Sequence, residues 1–268
     1  MNRYRIGAGE EVDLASRDTR DKSAFPDLKK STSGGAMADR RQLLAGLQQK
    51  LWADGSQALL VVLQAMDTGG KDGTIRKVLS GVNPQGIKVH GFGAPSEEEM
   101  DHDYLWRVHQ HAPAKGRITV FNRSHYEDVL VVRVKDLVAE SRWSRRFGHI
   151  RDFERMLSDE GTRIVKIMLH ISKDEQKERL QARLSDPTKS YKFNPSDLDS
   201  RSQWDSYMHA YEDAIGATSS TTAPWFVVPA DRKWYRNLVV SQIIIDALTA
   251  MHLSYPEPGV DLSSITIE

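Results

Sequence analysis

The chain has 268 residues, with 37 basic and 37 acidic side chains, zero formal net charge and no cysteine. Charge balance argues against a general nucleic-acid binder, which carries a basic surplus, but leaves room for a local basic groove. The lack of cysteine excludes disulfides and cysteine-ligated zinc. No apolar run approaches the ~18 residues that span a bilayer, and residues 1–6 carry no apolar signal core. A cytoplasmic protein with no membrane partner is expected, built as one large α/β domain or two small ones.

Residues 1–36 are polar and end in Ser31-Thr32-Ser33-Gly34-Gly35. They read as an N-terminal arm lying on the surface or on a partner subunit. A helix follows, with Leu43, Leu44, Leu47 and Leu51 at helical spacing and Gly55 as its stop. Apolar, strand-like runs at 59–63, 87–90, 118–121, 164–171 and 225–228 then alternate with helical stretches at 73–79, 97–111, 144–159, 173–184, 196–215 and 234–251. Ser96 with Glu99 and Ser172 with Glu175 have capping-box spacing. This alternation predicts βαβ units around a mostly parallel sheet of five strands. The expected division is the arm at 1–36, a main domain at 37–255 and a loosely held tail at 256–268.

The first strand-like run leads into Gln64-Ala65-Met66-Asp67-Thr68-Gly69-Gly70-Lys71-Asp72-Gly73-Thr74. A buried strand, a glycine turn and a helix start aim backbone N–H groups at one spot, and phosphate suits such a spot. Gly69, Gly70 and Gly73 mark where backbone approaches phosphate, and Lys71 adds a point charge. The match to the P-loop pattern is imperfect, because Ala65 replaces its first glycine and Asp72 its Ser or Thr. An ordinary βα turn remains the alternative. If phosphate binds, the missing hydroxyl shifts metal binding to carboxylates, with Asp67 inside the loop; magnesium accepts one or two carboxylates plus phosphates and waters.

The run at 118–121 ends in Asn122-Arg123-Ser124-His125-Tyr126-Glu127-Asp128. Ligands of open α/β sheets bind at the carboxyl ends of strands. Asn122 stands where a Walker B strand carries Asp, Glu127 and Asp128 supply negative charge beyond it, and Arg123 can fork onto a phosphate. The alternative is a strand end followed by acidic residues that stabilise a helix start.

These two stretches, with Asp186-Pro187-Thr188-Lys189-Ser190-Tyr191-Lys192-Phe193, resemble the second family of polyphosphate kinases, in order, from about residue 40 to about 250. Asn at position 122 is similar to the class that phosphorylates both nucleoside mono- and diphosphates. The resemblance implies a P-loop kinase-like three-layer α/β/α fold with a central five-stranded sheet and a helical lid at about 173–203. It also implies dependence on Mg²⁺ (or Mn²⁺), polyphosphate as donor, AMP, ADP, ATP and guanine nucleotides as acceptors or products, and a homodimer or homotetramer.

A helix with Arg179 and Arg183 leads into a stretch carrying Lys189 and Lys192, bracketed by Pro187 and Pro195, and this basic segment suits a lid that closes over phosphates, although most such runs are solvated faces. A linear polyanion needs a groove of cations, for which Arg76, Lys77, Arg133 and Lys135 are candidates. The expected catalytic set is Asp67, Lys71, Arg123 and Asp128, with Asp67 and Asp128 as metal ligands. The expected substrate-binding set is Thr68, Gly69, Gly70, Asp72, Gly73, Thr74, Arg76, Lys77, Asn122, Glu127, Arg133, Arg183, Lys189 and Lys192. His102, His109 and His111 read as exposed polar residues, Phe92 and Trp106 as core rather than a nucleobase pocket, and Trp204, Tyr207 and Tyr211 as a packed helix face. The rival readings are an ATP-dependent nucleoside monophosphate kinase and a non-catalytic polyanion or nucleotide sensor.

Overall fold

The computed structural model describes residues 1–267. Its centre is β2 (Ala58–Gln64), buried at every position, as a strand covered on both faces must be. β5 (Thr162–His170) and β4 (Ile118–Asn122) flank β2, both parallel to it. β3 (Ile87–Gly91) lies outside β4, and β6 (Trp225–Pro229) outside β5, again parallel. One helical layer contains α1 (Ser33–Asp54), α2 (Lys71–Val78) and α10 (Lys233–Thr249), which contact one another. Another contains α5 (Val131–Val134), α6 (Glu140–Asp159) and α9 (Trp204–Thr218). The expected α/β architecture is present, and α1 ends as expected on Gly55 in the left-handed conformation.

The sheet has six strands rather than the five expected. The extra one is β1 (Arg5–Ile6), antiparallel to β6. It covers an edge that would otherwise expose unpaired backbone groups. The arm is therefore no loose surface segment over this stretch: Tyr4, Ile6, Val12 and Leu14 are buried in the main core. Tyr4 donates to Asp21 (2.6 Å) and meets Tyr235 (2.7 Å), while Thr19 donates to Asp231 (2.8 Å). Its apolar residues are few, and the alternating pairs Tyr4–Ile6 and Val12–Leu14 are too short to stand out as strands, which is why the composition reads as polar.

Two expected helices are broken. The stretch 97–111 yields α3 (Glu97–Asp101) and α4 (Trp106–His109). Asp103 accepts from the Leu105 N–H at 2.9 Å, a local turn that competes with helix continuation. The stretch 196–215 yields α8 (Ser196–Ser202) and α9, separated at Gln203. Ser96 and Glu99 form a complete capping box. At the start of α7 (Lys173–Ser185), Ser172 caps the Glu175 N–H, but the Glu175 carboxylate turns to Arg179 (2.7 Å) instead of reaching back. Along the tail, Val260, Leu262, Ile265 and Ile267 are exposed, and Glu268 lies outside the described residues.

If the arm belongs to the folding unit, Ile6→Ala will lower unfolding free energy by about 2–5 kcal/mol, the usual loss for a fully buried Ile. A urea midpoint equal to that of the wild type would place the arm outside that unit.

Candidate active site

Connections leave β2 toward β3 and leave β4 toward β5 on the other side of β2. Such a reversal opens a crevice at the carboxyl ends of the two strands. Leu63 pairs with Asn122, and the Arg123 N–H donates to the Leu63 carbonyl at 3.1 Å, so both loops leave the sheet at one level.

In the loop after β2, a Cβ on Gly69 would lie 2.5 Å from the Ala65 Cβ and 2.8 Å from the Met66 oxygen. Gly70 has φ +100°, and a Cβ there would lie 2.0 Å from Arg236 Nη1. Only glycine fits either place. Gly70 also stands at the N-cap of α2 with no capping side chain, leaving the first-turn N–H groups available to an anion. Thr68 (φ +62°) and Arg123 (φ +61°) adopt left-handed backbone, a strained state that clusters at ligand sites. The Thr68 hydroxyl is buried without a hydrogen-bond partner. Lys71 Nζ rests on the Ala65 carbonyl at 2.8 Å. Burial, then the Arg123 charge, pull its pKa below the ordinary lysine value, against the opposing pull of Asp67, Glu127 and Asp72.

Arg123 donates to Asp67 at 3.0 Å, joining the two loops. Burial pushes the Glu127 carboxyl up, against Arg123 and Lys71, which favour its ionised form. Asp72 connects three motifs: Asn122 donates to it at 2.9 Å, and Lys192 of the basic segment lies 3.6 Å away. Burial raises the Asp72 pKa, but Asn122, Lys192 and Lys71 outweigh this and leave it below the ordinary value. Arg183 pairs with Asp197 at 3.1 Å, and Asn194, Ser196, Asp197 and Ser200 close one side of the cleft. The cleft has a volume of about 790 Å³, within the range of small-ligand sites, and is also lined by Asp67, Arg123, Glu127, Asp128 and Lys135.

Asp128 is held differently from Asp67. Arg146 donates to its carboxylate (3.0 Å) and its carbonyl (2.9 Å), and Arg107 lies 4.0 Å from the other carboxylate oxygen. Burial raises its pKa, and these arginines oppose the rise. Asp128, expected as a metal ligand, has one carboxylate oxygen held by Arg146, while the other, Oδ2, is buried without a hydrogen-bond partner. Among the described residues no group of three His, Asp or Glu side chains is disposed to hold a metal. A divalent ion here would depend mainly on substrate phosphates, with Asp67 and Asp128 as the carboxylates that line the cleft.

Several expected binding residues point elsewhere. Arg133 pairs with Asp213 at 2.6 Å and lies over the Trp143 ring, in a separate surface groove. The Thr74 hydroxyl donates to the Gly70 carbonyl at 3.0 Å, supporting the helix start. Lys189 pairs with Asp186 within its own segment, and Arg76 and Lys77 are exposed on α2. Phe92 is buried against Phe121, while Trp106 stacks on His102 beside a second groove. His90 stacks on His111, whose Nδ1 is 3.2 Å from Lys88 Nζ.

The sequence reading missed the arginines behind the loop. Arg179, expected in the lid, instead donates to the Thr68 and Gly69 carbonyls (both 3.0 Å) and to the Ala230 carbonyl (2.7 Å). Arg236 donates to the Gly69 carbonyl at 3.4 Å. Burial and the neighbouring Arg179 lower its pKa to about 9. No sequence signal singles Arg236 out, because Lys233 and Asn237 lie beside it in the first half of α10. Tyr207 and Tyr211 do pack as expected, yet they also line the cleft.

The profile of the Polyphosphate kinase 2 (PPK2) family matches residues 27–256. The chain belongs to the polyphosphate kinase 2 family. It is 52% identical over 268 residues to an AMP/ADP-polyphosphate phosphotransferase of Meiothermus ruber, covering 100% of both chains. It is 44% identical over 266 residues to an ADP-polyphosphate phosphotransferase of Rhodopseudomonas palustris, covering 95% of this chain and 91% of that one. The crystal structure of Polyphosphate Kinase 2 from Arthrobacter aurescens TC1 superposes with a TM-score of 0.93 at 43% identity, covering 97% of this chain and 93% of that one. The resemblance carried by the motifs is borne out, as is the kinase-like α/β fold.

Family membership makes the Gly70 geometry a sharp test. Gly70→Ala forces a strained φ and a collision with Arg236 that displaces the loop. A misplacement of about 1 Å costs on the order of 10²-fold in rate, so phosphotransfer should fall by about that factor while far-ultraviolet circular dichroism stays native. Wild-type turnover in this variant would contradict the cradle.

Proposed function

We propose that the protein transfers the terminal phosphoryl group of inorganic polyphosphate to AMP and to ADP, giving ADP and ATP, and that the reaction runs in either direction with concentration. The observation that carries this reading is the Asp67–Arg123 pair lining a cleft that continues past Glu127 and Asp128, with the buried Lys71 close enough to feel the charges of Arg123, Asp67 and Glu127. The names of the relatives support the donor and acceptors, and the acceptor range extends on this reading to guanine nucleotides.

A non-bridging oxygen of the acceptor phosphate attacks the terminal phosphorus, and the P–O bond to the next phosphate breaks. The chain leaves one unit shorter, with the electron pair on its new terminal oxygen. A phosphate second pKa of ~6 makes the acceptor an anion near neutral pH, so no strong base is required. Catalysis then rests on positioning and charge neutralisation. Lys71 supplies a compact positive charge to the transferring group, and Arg123 a planar fork. The first turn of α2 binds phosphate oxygens through backbone N–H groups. The basic segment, tied to Asp72 through Lys192, excludes water as it covers the cleft. Mg²⁺, or Mn²⁺ in its place, would be held by Asp67 and Asp128 and would neutralise phosphate charge. We place the activity in the cytoplasm, in a homodimer or homotetramer.

The test is incubation with Mg²⁺, AMP or ADP, and either polyphosphate or ATP, with products resolved by chromatography. ADP and ATP should form from polyphosphate. Transfer from ATP to AMP with none from polyphosphate would make the protein an ATP-dependent nucleoside monophosphate kinase instead. In the same assay Lys71→Ala should lose about 10²–10³-fold in rate, the usual effect of deleting one charge-stabilising donor; near-full activity would remove Lys71 from the mechanism.

A further inference from the structure

Lys166 sits in the middle of β5, fully buried, between Val62 of β2 and Trp225 of β6 in the sheet register. Its ammonium donates to Glu154 of α6 (2.6 Å), to the Tyr126 hydroxyl (3.0 Å) and to the Thr218 carbonyl at the end of α9 (2.8 Å). Tyr126 in turn donates to the other Glu154 oxygen (2.8 Å), and its hydroxyl lies 2.9 Å from the Thr218 hydroxyl. That Glu154 oxygen is also 3.3 Å from His125 Nε2. Glu154, Tyr126 and His125 are all buried.

A buried ion pair is a poor source of stability, since well-packed apolar residues of similar volume often do as well or better. What this one does is geometric. It ties β5, α6 and α9 to His125 and Tyr126, the two residues that immediately precede Glu127 and Asp128. The same short turn is held at two further points. The Ser124 hydroxyl accepts from Gln64 of β2 (3.1 Å) and from the Tyr126 N–H (3.1 Å). Arg146, on the same helix as Glu154, holds Asp128. The turn begins at Arg123, whose left-handed backbone persists only if its surroundings over-determine it.

We propose that the buried Lys166–Glu154–Tyr126 network is a positioning device for the acceptor side of the site, setting the 125–128 turn so that Glu127 and Asp128 face the nucleotide while the donor loop is held independently by Arg179 and Arg236. None of the three touches substrate. The inference rests on the proposed function and takes the cleft lined by Glu127, Asp128, Leu130 and Val131, to whose lining Gly69, Gly70 and Lys71 do not belong, as the acceptor side.

The device predicts a split between substrates that general destabilisation would not produce. Tyr126→Phe keeps the ring and removes only the hydroxyl that ties the turn to the Lys166–Glu154 pair, which stays joined directly. Initial rates measured with AMP and polyphosphate varied separately should show KM for AMP raised about tenfold and KM for polyphosphate unchanged. A second variant, Lys166→Met with Glu154→Gln, removes both buried charges together. It should melt near the wild type and show the same AMP-side loss. Unchanged constants in the folded variants, or equal losses toward AMP and polyphosphate, would overturn the proposal. A wild-type protein that transfers nothing from polyphosphate would overturn the function and this inference with it, whereas an active wild type with unaffected variants would overturn the inference alone.

Discussion

The charge-assisted hydrogen bond between Asp67 and Arg123 ties together the two loops on which the site depends. Each residue belongs to a loop at the carboxyl end of a different strand, and the 3.0 Å contact exists because β2 and β4 are adjacent, parallel and in fixed register. Both loops meet there under strain, with left-handed backbone at Thr68 and at Arg123 itself. A one-residue slip of either strand would reverse its faces and carry one partner away. The pair holds an anionic group and a cationic fork ready in a partly desolvated cleft, where such groups act more strongly than in water.

Around this pair the protein concentrates positive charge that its composition conceals. Arg236 is buried and, among the described residues, has no ion-pair partner within 4.0 Å; Arg179 next to it shares its charge with Glu175. Both donate to carbonyls of the glycine loop, which ties the loop's outward oxygens inward and leaves the α2 N-terminus for a ligand. Arg107 and Arg146 do the corresponding work at Asp128. The site thus has buried arginines behind the glycine loop and a carboxylate held by arginines beyond the second strand, while the chain as a whole stays neutral. Local arrangement, not net charge, sets the potential that a polyanion meets.

Much of this was legible because it is local. A five-residue apolar run followed by Gly69-Gly70-Lys71 states a strand, a turn and a helix start within one window, and Asn122 to Asp128 does the same at the second strand. The arm was not legible, because Tyr4, Ile6, Val12 and Leu14 become core only once β6 presents an edge to cover. Arg236, and the true role of Arg179, were not legible for a similar reason: an arginine on a helix looks the same in sequence whether it faces water or a loop more than one hundred positions away. Asp128 could be seen as acidic and near the site, but its arginine partners come from elements that no spacing links to it. The network at Lys166 is a charge in an apolar strand, a visible anomaly whose partner, Glu154, lies twelve residues earlier on another element.

The central claim is that Asp67 and Arg123 act as one unit across the two loops. A double-mutant cycle with Asp67→Asn, Arg123→Gln and the combined variant, read as kcat/KM for transfer from polyphosphate to AMP, tests it most directly. Groups acting as a unit are strongly non-additive, so the double variant should be about as slow as the slower single variant. Single losses that simply multiply in the double variant would mean that the two residues work independently, and the claim would fail.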